Sequence, residues 1–215
     1  MTTSVKPEDD RRRIARIGLD LFERAAVLGL FALMAVRIFS SVSLGASPFN
    51  ILVLVSEGLV VALVIVRRPA SDLSLKPADW LLAFGPSALP TLLRPGHAAP
   101  LVPAAVAGAL MLFGLVLQVI CKLALMRSFG VAPANRGLVV RGPYRLVRHP
   151  IYTNYLFSQA GFLLLNPTAW NLAVLAATGV LQIFRIDAEE RLLAYDPAHA
   201  AFCRSVRYRL IPGIY

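Results

Sequence analysis

Thirty-five consecutive residues without a formal charge, Pro150 to Phe184, constrain this chain more than any other feature. As one helix they would run about 52 Å at 1.5 Å per residue, too long for a hydrocarbon core of about 30 Å. Asn166-Pro167 stands in the middle, and a proline preceded by asparagine marks a turn. The stretch therefore reads as a hairpin of two short helices, 151–165 and 168–184. A second run, Pro95 to Cys121, also lacks Asp, Glu, Lys and Arg, and predicts a spanning helix over 102–126. Upstream, 19–40 reads as a first span with Asp20, Glu23 and Arg24 near its start, and 50–66 as a second interrupted only by Glu57. Trp80 to Leu93, with Pro86 and Pro90, is a weaker third crossing, short or kinked. The expected class is all-α, a polytopic membrane bundle of about six helices, four plus the C-terminal hairpin. Residues 1–16 form a polar tail, and 185–215 are polar and basic, helical to about 200.

Composition agrees. Apolar residues make up 57 % of the 215 and charged ones 16 %, against about 45–50 % apolar in soluble domains. Such a chain cannot cover itself in polar side chains, which excludes a soluble globule, and it has too much apolar surface for disorder. Cys121 and Cys203 form neither a disulfide framework nor a metal-ligand spacing. The net charge of +10 lies beside the apolar runs, as anchors on an anionic inner leaflet do, and so does not indicate nucleic acid. Arg11-Arg12-Arg13 precedes a stretch too long and too charged for a cleavable signal. With the N-terminus inside, 18 of the 22 basic residues fall in cytoplasmic segments and only Arg94 in an outer loop. Both termini are thus expected in the cytoplasm. The third stretch must cross, because otherwise the five arginines of 127–148 would lie outside.

Chemistry concentrates between Arg136 and Tyr152, in R-G-L-V-V-R-G-P-Y-R-L-V-R-H-P-I-Y. Gly142-Pro143 starts a turn, and His149-Pro150 opens a helix with proline where its missing N–H costs nothing. Free N–H groups there, with Arg148 and His149, suit a carboxylate or phosphate. Tyr144 and Tyr152 add flat surface with hydroxyl handles, suited to a purine or a ribose. Arginines in such a loop often do no more than anchor it at the headgroups, but anchoring does not require two glycines, two prolines, two tyrosines and a histidine. In F-R-I-D-A-E-E-R-L-L, residues 184–193, Arg185 and Glu189 share a helix face, while Glu190 points roughly 100° away. A structural ion pair at the interface would explain that segment equally well. The tail V-R-Y-R-L-I-P-G-I-Y follows, its Leu210-Ile211-Pro212 placed to return to the membrane surface.

These three features, in this order and spacing, resemble the isoprenylcysteine carboxyl methyltransferase family and its phospholipid N-methyltransferase relatives. The resemblance covers about residues 127–215, which divides the chain into N-terminal membrane helices, 1–126, and a cofactor-binding region, 127–215. It implies an S-adenosyl-L-methionine-dependent enzyme acting on a lipophilic acceptor from the bilayer, either a prenylcysteine-like carboxylate or a lipid amine. By position, Gly137-Leu138-Val139, Tyr144, Arg148 and His149-Pro150-Ile151-Tyr152 would line the cofactor, with Glu189 and Glu190 holding its polar groups. Arg185 would face the acceptor. No Gly-rich dinucleotide fingerprint is present. Asn154 stands where the family often has glycine, and His199 and Phe202 stand where tyrosines are expected. His199 is read as a solvent-facing tail residue rather than a proton acceptor, and His97 as inert. Glu57, an acid within a span, is either functional or a structural hydrogen-bond partner, and is left out of the site. Membrane sterol reductases, which use a nicotinamide cofactor, share a similar R-H-P turn and tail and are the alternative.

Overall fold

The structure, a computed structural model, describes residues 7–40, 48–94 and 98–215, with side chains from 14–36, 53–94 and 98–215. His97 and Arg37 lie outside these side chains. The chain is mostly helical: α1 (Pro7–Ser40), α2 (Pro48–Val66), α3 (Pro77–Ala88), α4 (Ala104–Leu125), α5 (Pro150–Leu165), α6 (Ala169–Leu193) and α7 (Pro197–Ser205). Among the described residues two helical stretches, Ala104–Ser128 and Ala169–Leu193, are long and apolar enough to cross a membrane, and Val53–Val66 is a shorter apolar helix. Their outward faces remain apolar, with Phe113, Val116 and Ile120 on α4 and Leu172, Val180 and Phe184 on α6 exposed. An apolar belt of this kind is what hydrocarbon requires and water penalises. The chain is therefore a helical membrane protein.

In two places an α-helix gives way to a second helical element. α3 has 12 residues and continues only as a 3₁₀ turn, Leu89–Leu92. This is the short form expected of Trp80 to Leu93; Pro90, whose ring cannot continue an α-helix, lies at the change. The hairpin is where 150–184 placed it, and α6 continues past 184, within the segment expected to be helical to about 200. It runs through the charged segment to Leu193, and a separate α7 follows. Charge did not end this helix because Arg185 and Glu189 pair along it.

The hairpin turn is fastened by buried amides. Thr168 caps α6 by accepting from Asn171 N, and Asn171 Nδ2 donates to Arg94 O (2.8 Å) and Asn166 O (3.0 Å). α4 and α5 approach closely enough that a Cβ on Gly161 would meet Ala107 O at 2.7 Å, and one on Gly114 would meet Asn154 O at 2.8 Å. Small residues permit this contact where no hydrophobic drive brings helices together. Asn154, at the family's glycine position, is buried in the same seam and donates to Cys121 Sγ (3.1 Å).

The connection between α4 and α5 is held from three sides. A two-residue antiparallel pair joins β1 (Asp72–Leu73) to β2 (Ala134–Asn135). Glu23 of α1, fully buried, accepts from Val131 N (2.7 Å) and Ala132 N (3.2 Å) and pairs with Arg67 and Arg136. The tail supplies the third side: Arg148 N donates to Tyr208 O and His149 N to Arg209 O, both at 2.9 Å. Leu210 is consequently buried in the core rather than returned to the membrane surface.

Candidate functional site

A cavity of about 620 Å³ opens among α1, α2, α4, α5, α6 and the α4–α5 connection, a volume typical of sites for ligands of nucleoside size and above. One end is charged and aromatic, lined by Tyr144, Arg148, His149, Tyr152, Glu189 and His199. The other is largely apolar, with Leu30, Phe31, Met34, Val53, Val60 and Leu115 from α1, α2 and α4.

Ten of the residues singled out in the sequence line this one cavity: Gly137, Leu138, Val139, Tyr144, Arg148, His149, Ile151, Tyr152, Arg185 and Glu189. Pro150 and Glu190 do not. Pro150 is the buried first residue of α5, where its ring fixes the helix start. Glu190 turns away, as its 100° offset from Glu189 dictates, and takes His149 Nε2 (3.1 Å), Arg148 Nε (3.3 Å) and Arg209 Nη2 (2.7 Å). It therefore holds two lining side chains from behind. The N–H groups of Arg148 and His149, expected to be free for an anion, are occupied by the tail carbonyls. What these residues offer the cavity is their side chains.

At the charged end the groups are linked. Tyr152 Oη donates to Glu189 Oε1, and His149 Nδ1 lies 3.7 Å from Glu189 Oε2, so one histidine faces both carboxylates. The His149 and Tyr152 rings stack at 5.8 Å and 18°. Arg185 is 6 % exposed; its Nε donates to Glu189 Oε1 (3.3 Å), Nη1 to Ala83 O (3.1 Å) and Nη2 to Val131 O (2.7 Å). Three of the five N–H donors of a guanidinium are thus used, and two remain. Gly137 holds φ +91°, a conformation L side chains rarely adopt, and so turns the Leu138-Val139 backbone along the cavity. Burial pushes the Tyr144 phenol well above its ordinary range, so its hydroxyl stays protonated.

Several lining groups went unseen in the sequence. His199, expected to face solvent, is 6 % exposed and lines the cavity, with Phe202 beside it. Burial, with the Arg148 and His149 charges, holds its imidazole below the usual histidine value, against the opposing pull of Glu190 and Asp196. A depressed histidine contributes stability that is fully present above its unfolded pKa, near 6.5, and is lost as pH falls through the folded value. The thermal midpoint is accordingly expected to fall on acidification below 6.5, and His199→Phe to flatten that acid slope in a melting series from pH 7.5 to 5. An unchanged slope would contradict the assignment.

Glu57 also lines the cavity and pairs with fully buried Lys122 (3.1 Å), which donates in addition to Ser56 O and Ser56 Oγ. The acid in one span and the lysine in another, neither with a neighbour of opposite charge on its own helix, were the sequence signal for this pair. Gln182, Gln118 and the Glu23 partners gave no such signal.

Residues 104–195 match the Isoprenylcysteine carboxyl methyltransferase (ICMT) family. No curated protein matches the chain in sequence. Among solved structures, the eukaryotic intramembrane Ras methyltransferase ICMT is similar at 19 % identity, with 99 % of this chain and 88 % of that chain covered and a TM-score of 0.49.

Proposed function

We propose that this chain, whose residues 104–195 match the isoprenylcysteine carboxyl methyltransferase family, is a membrane methyltransferase, and we propose its methyl donor, acceptor and residue roles. The donor is S-adenosyl-L-methionine and the acceptor a lipophilic carboxylate. The observation that carries this reading is the single cavity joining a cluster of opposite charges to apolar walls from α1, α2 and α4. A zwitterionic sulfonium donor asks for cationic and acidic groups at one end, and a lipid tail asks for hydrocarbon at the other.

The donor set fits the cofactor. Arg148 and His149, side by side in the lining, bring cationic groups to the charged end for a carboxylate. Glu189 offers an acceptor for an ammonium or ribose hydroxyl, and Tyr144, Ile151 and Tyr152 give flat apolar walls. When bound, the cofactor would supply an electrophilic methyl on its sulfonium: a carboxylate oxygen bonds to the methyl carbon as the S–CH3 bond breaks in line, and neutral S-adenosylhomocysteine leaves. Arg185, with two N–H donors left, orients the acceptor carboxylate, which is already anionic and needs no base. Glu190 keeps Arg148 and His149 aimed, and the apolar walls exclude water, so catalysis rests on positioning in a dry site. In this reading 127–215 form the cofactor region, 1–126 the membrane frame, and both termini face the cytoplasm. The family match is to a methyltransferase and leaves the reductase alternative without support.

The test is to supply the detergent-purified protein with methyl-labelled donor and N-acetyl-S-farnesyl-L-cysteine. Label in a base-labile ester is expected. Label only in base-stable lipid amines, or none transferred, would overturn the reading.

A further inference from the structure

The tail builds a second cavity beside the first. Arg148 N and His149 N donate to Tyr208 O and Arg209 O, and Thr153 Oγ1 donates to Leu210 O (2.8 Å), so residues 208–210 lie fastened along the start of α5. The chain then folds back on itself. The N–H groups of Arg209, Leu210 and Ile211 all donate to Tyr215 O (2.9, 2.8 and 3.0 Å), and Gly213 makes the turn with φ +86°. An open recess of about 460 Å³ results, with Arg148, Arg207, Tyr208, Arg209, Ile214 and Tyr215 in its lining.

Its chemistry is one-sided. Three guanidiniums line it, and among the described residues no carboxylate side chain does. The acids that hold them stand behind, on α6: Glu190 takes Arg148 Nε (3.3 Å) and Arg209 Nη2 (2.7 Å), and Asp187 takes Arg209 Nη1 (3.0 Å). Arg207 is exposed and pairs with no acid among the described residues. Two carboxylates thus hold two of the three cations, and the third lines the recess uncompensated. Tyr215 Oη already accepts from Arg209 Nη1 (2.6 Å), which leaves its own O–H to donate. Ile214, 79 % exposed, puts hydrocarbon at the rim. The recess lies at the start of α5, where the uncharged run begins, which in the membrane reading is the depth of lipid phosphates. Arg148 lines both cavities and so forms the wall between them. Glu190 ties it to Arg209 on one side and to His149 (3.1 Å) on the other.

We propose that the recess is a second ligand site, for a phosphate-bearing anion, and that its occupant competes with the cofactor cavity for Arg148. The site follows from the tail alone; its effect on the cofactor rests on the methyltransferase reading above. Planar guanidiniums and phenol hydroxyls recognise phosphate oxygens through charge-assisted hydrogen bonds. An anion in the recess draws on those Arg148 donors that Glu190 and Cys203 leave over, and takes them from a carboxylate in the larger cavity. The two ligands must then weaken each other by the same factor.

The probes are inorganic phosphate and dihexanoyl phosphatidylglycerol, each titrated calorimetrically into the detergent-purified full chain. Saturable binding of at least one is expected. Binding of phosphate would identify a free-anion site, and binding confined to the lipid a headgroup held with Ile214 against its chain. Arg207→Gln is expected to weaken that binding at least about tenfold, as a charge-assisted contact is lost. Its melting midpoint, and its affinity for S-adenosylhomocysteine without anion, should match the parent, because Arg207 is exposed and unpaired. Arg68→Gln, at an exposed arginine outside the recess, should bind the anion as the parent does. At saturating anion the parent's affinity for S-adenosylhomocysteine is expected to fall at least about fivefold. Binding of neither probe, or binding that Arg207→Gln leaves intact, would overturn the site. An affinity for S-adenosylhomocysteine unchanged by saturating anion would overturn the competition. A protein that binds the anion but never S-adenosylhomocysteine would sink the methyltransferase reading and leave the site standing.

Discussion

Replacing Glu23 with alanine is expected to destabilise the protein by about 3–5 kcal/mol, the cost of removing one partner from a buried ion cluster. Glu23 is completely buried, and its two oxygens serve four groups: the Arg67 and Arg136 guanidiniums and the N–H groups of Val131 and Ala132. Without it two buried cations share Asp20 alone, which lies 4.0 Å from Arg136 Nη2. Burial lowers the affinity of the Arg136 guanidinium for a proton, against the pull of Glu23. The loss should reach the cavity, because Val131 O is the acceptor for Arg185 Nη2. Denaturant unfolding in detergent measures it. Glu23→Gln, which keeps one acceptor oxygen for the two N–H groups but discards the charge, should fall between parent and alanine. A Glu23→Ala protein as stable as the parent would show that the cluster does not hold the α4–α5 connection.

Arg185→Lys is expected to lower kcat/KM by about 100-fold, the usual effect of removing one preorganised electrostatic contact. A single ammonium cannot reproduce a planar fork that binds Ala83 O, Val131 O and Glu189 at once and still presents donors to a substrate carboxylate. Lysine is preferred to alanine here, since alanine would also leave two buried carbonyls unpaired. The affinity for S-adenosylhomocysteine should move only a few-fold, because the cofactor lies with Glu189, His149 and Arg148 in this account. Full turnover by the Arg185 variant at saturating acceptor would remove its orienting role.

Much of this was legible in the residues before the fold was known. The 35-residue uncharged run with Asn166-Pro167 at its centre admits little besides a hairpin, and the structure turns there. The R-H-P-I-Y and R-I-D-A-E-E segments fall on one cavity because each carries charge at the end of an apolar helix, where it must meet a partner. The missing parts depend on tertiary approach. Helix was expected to about 200, but that one helix runs unbroken from the span to Leu193 and a separate one starts at Pro197 was not legible. The burial of His199 follows from α7 folding back onto the cavity, which nothing in D-P-A-H-A-A-F announces. Glu190 shows the limit of motif transfer: it is next to a lining residue in sequence, is turned about 100° from it on the helix, and is absent from the lining. Most of the apolar lining comes from α1 and α2, outside the matched residues 104–195, and no motif marks it.

The most direct measurement is calorimetric titration of the purified protein with S-adenosylhomocysteine and, separately, with NADPH, for the parent and for Glu189→Gln. Glu189 is the lining carboxylate shared by Tyr152, His149 and Arg185, and the variant keeps its shape while removing its charge. The account predicts saturable binding of S-adenosylhomocysteine, weakened at least about tenfold in Glu189→Gln as a charge-assisted contact is lost, and no binding of NADPH. Saturable binding of NADPH with none of S-adenosylhomocysteine would contradict it.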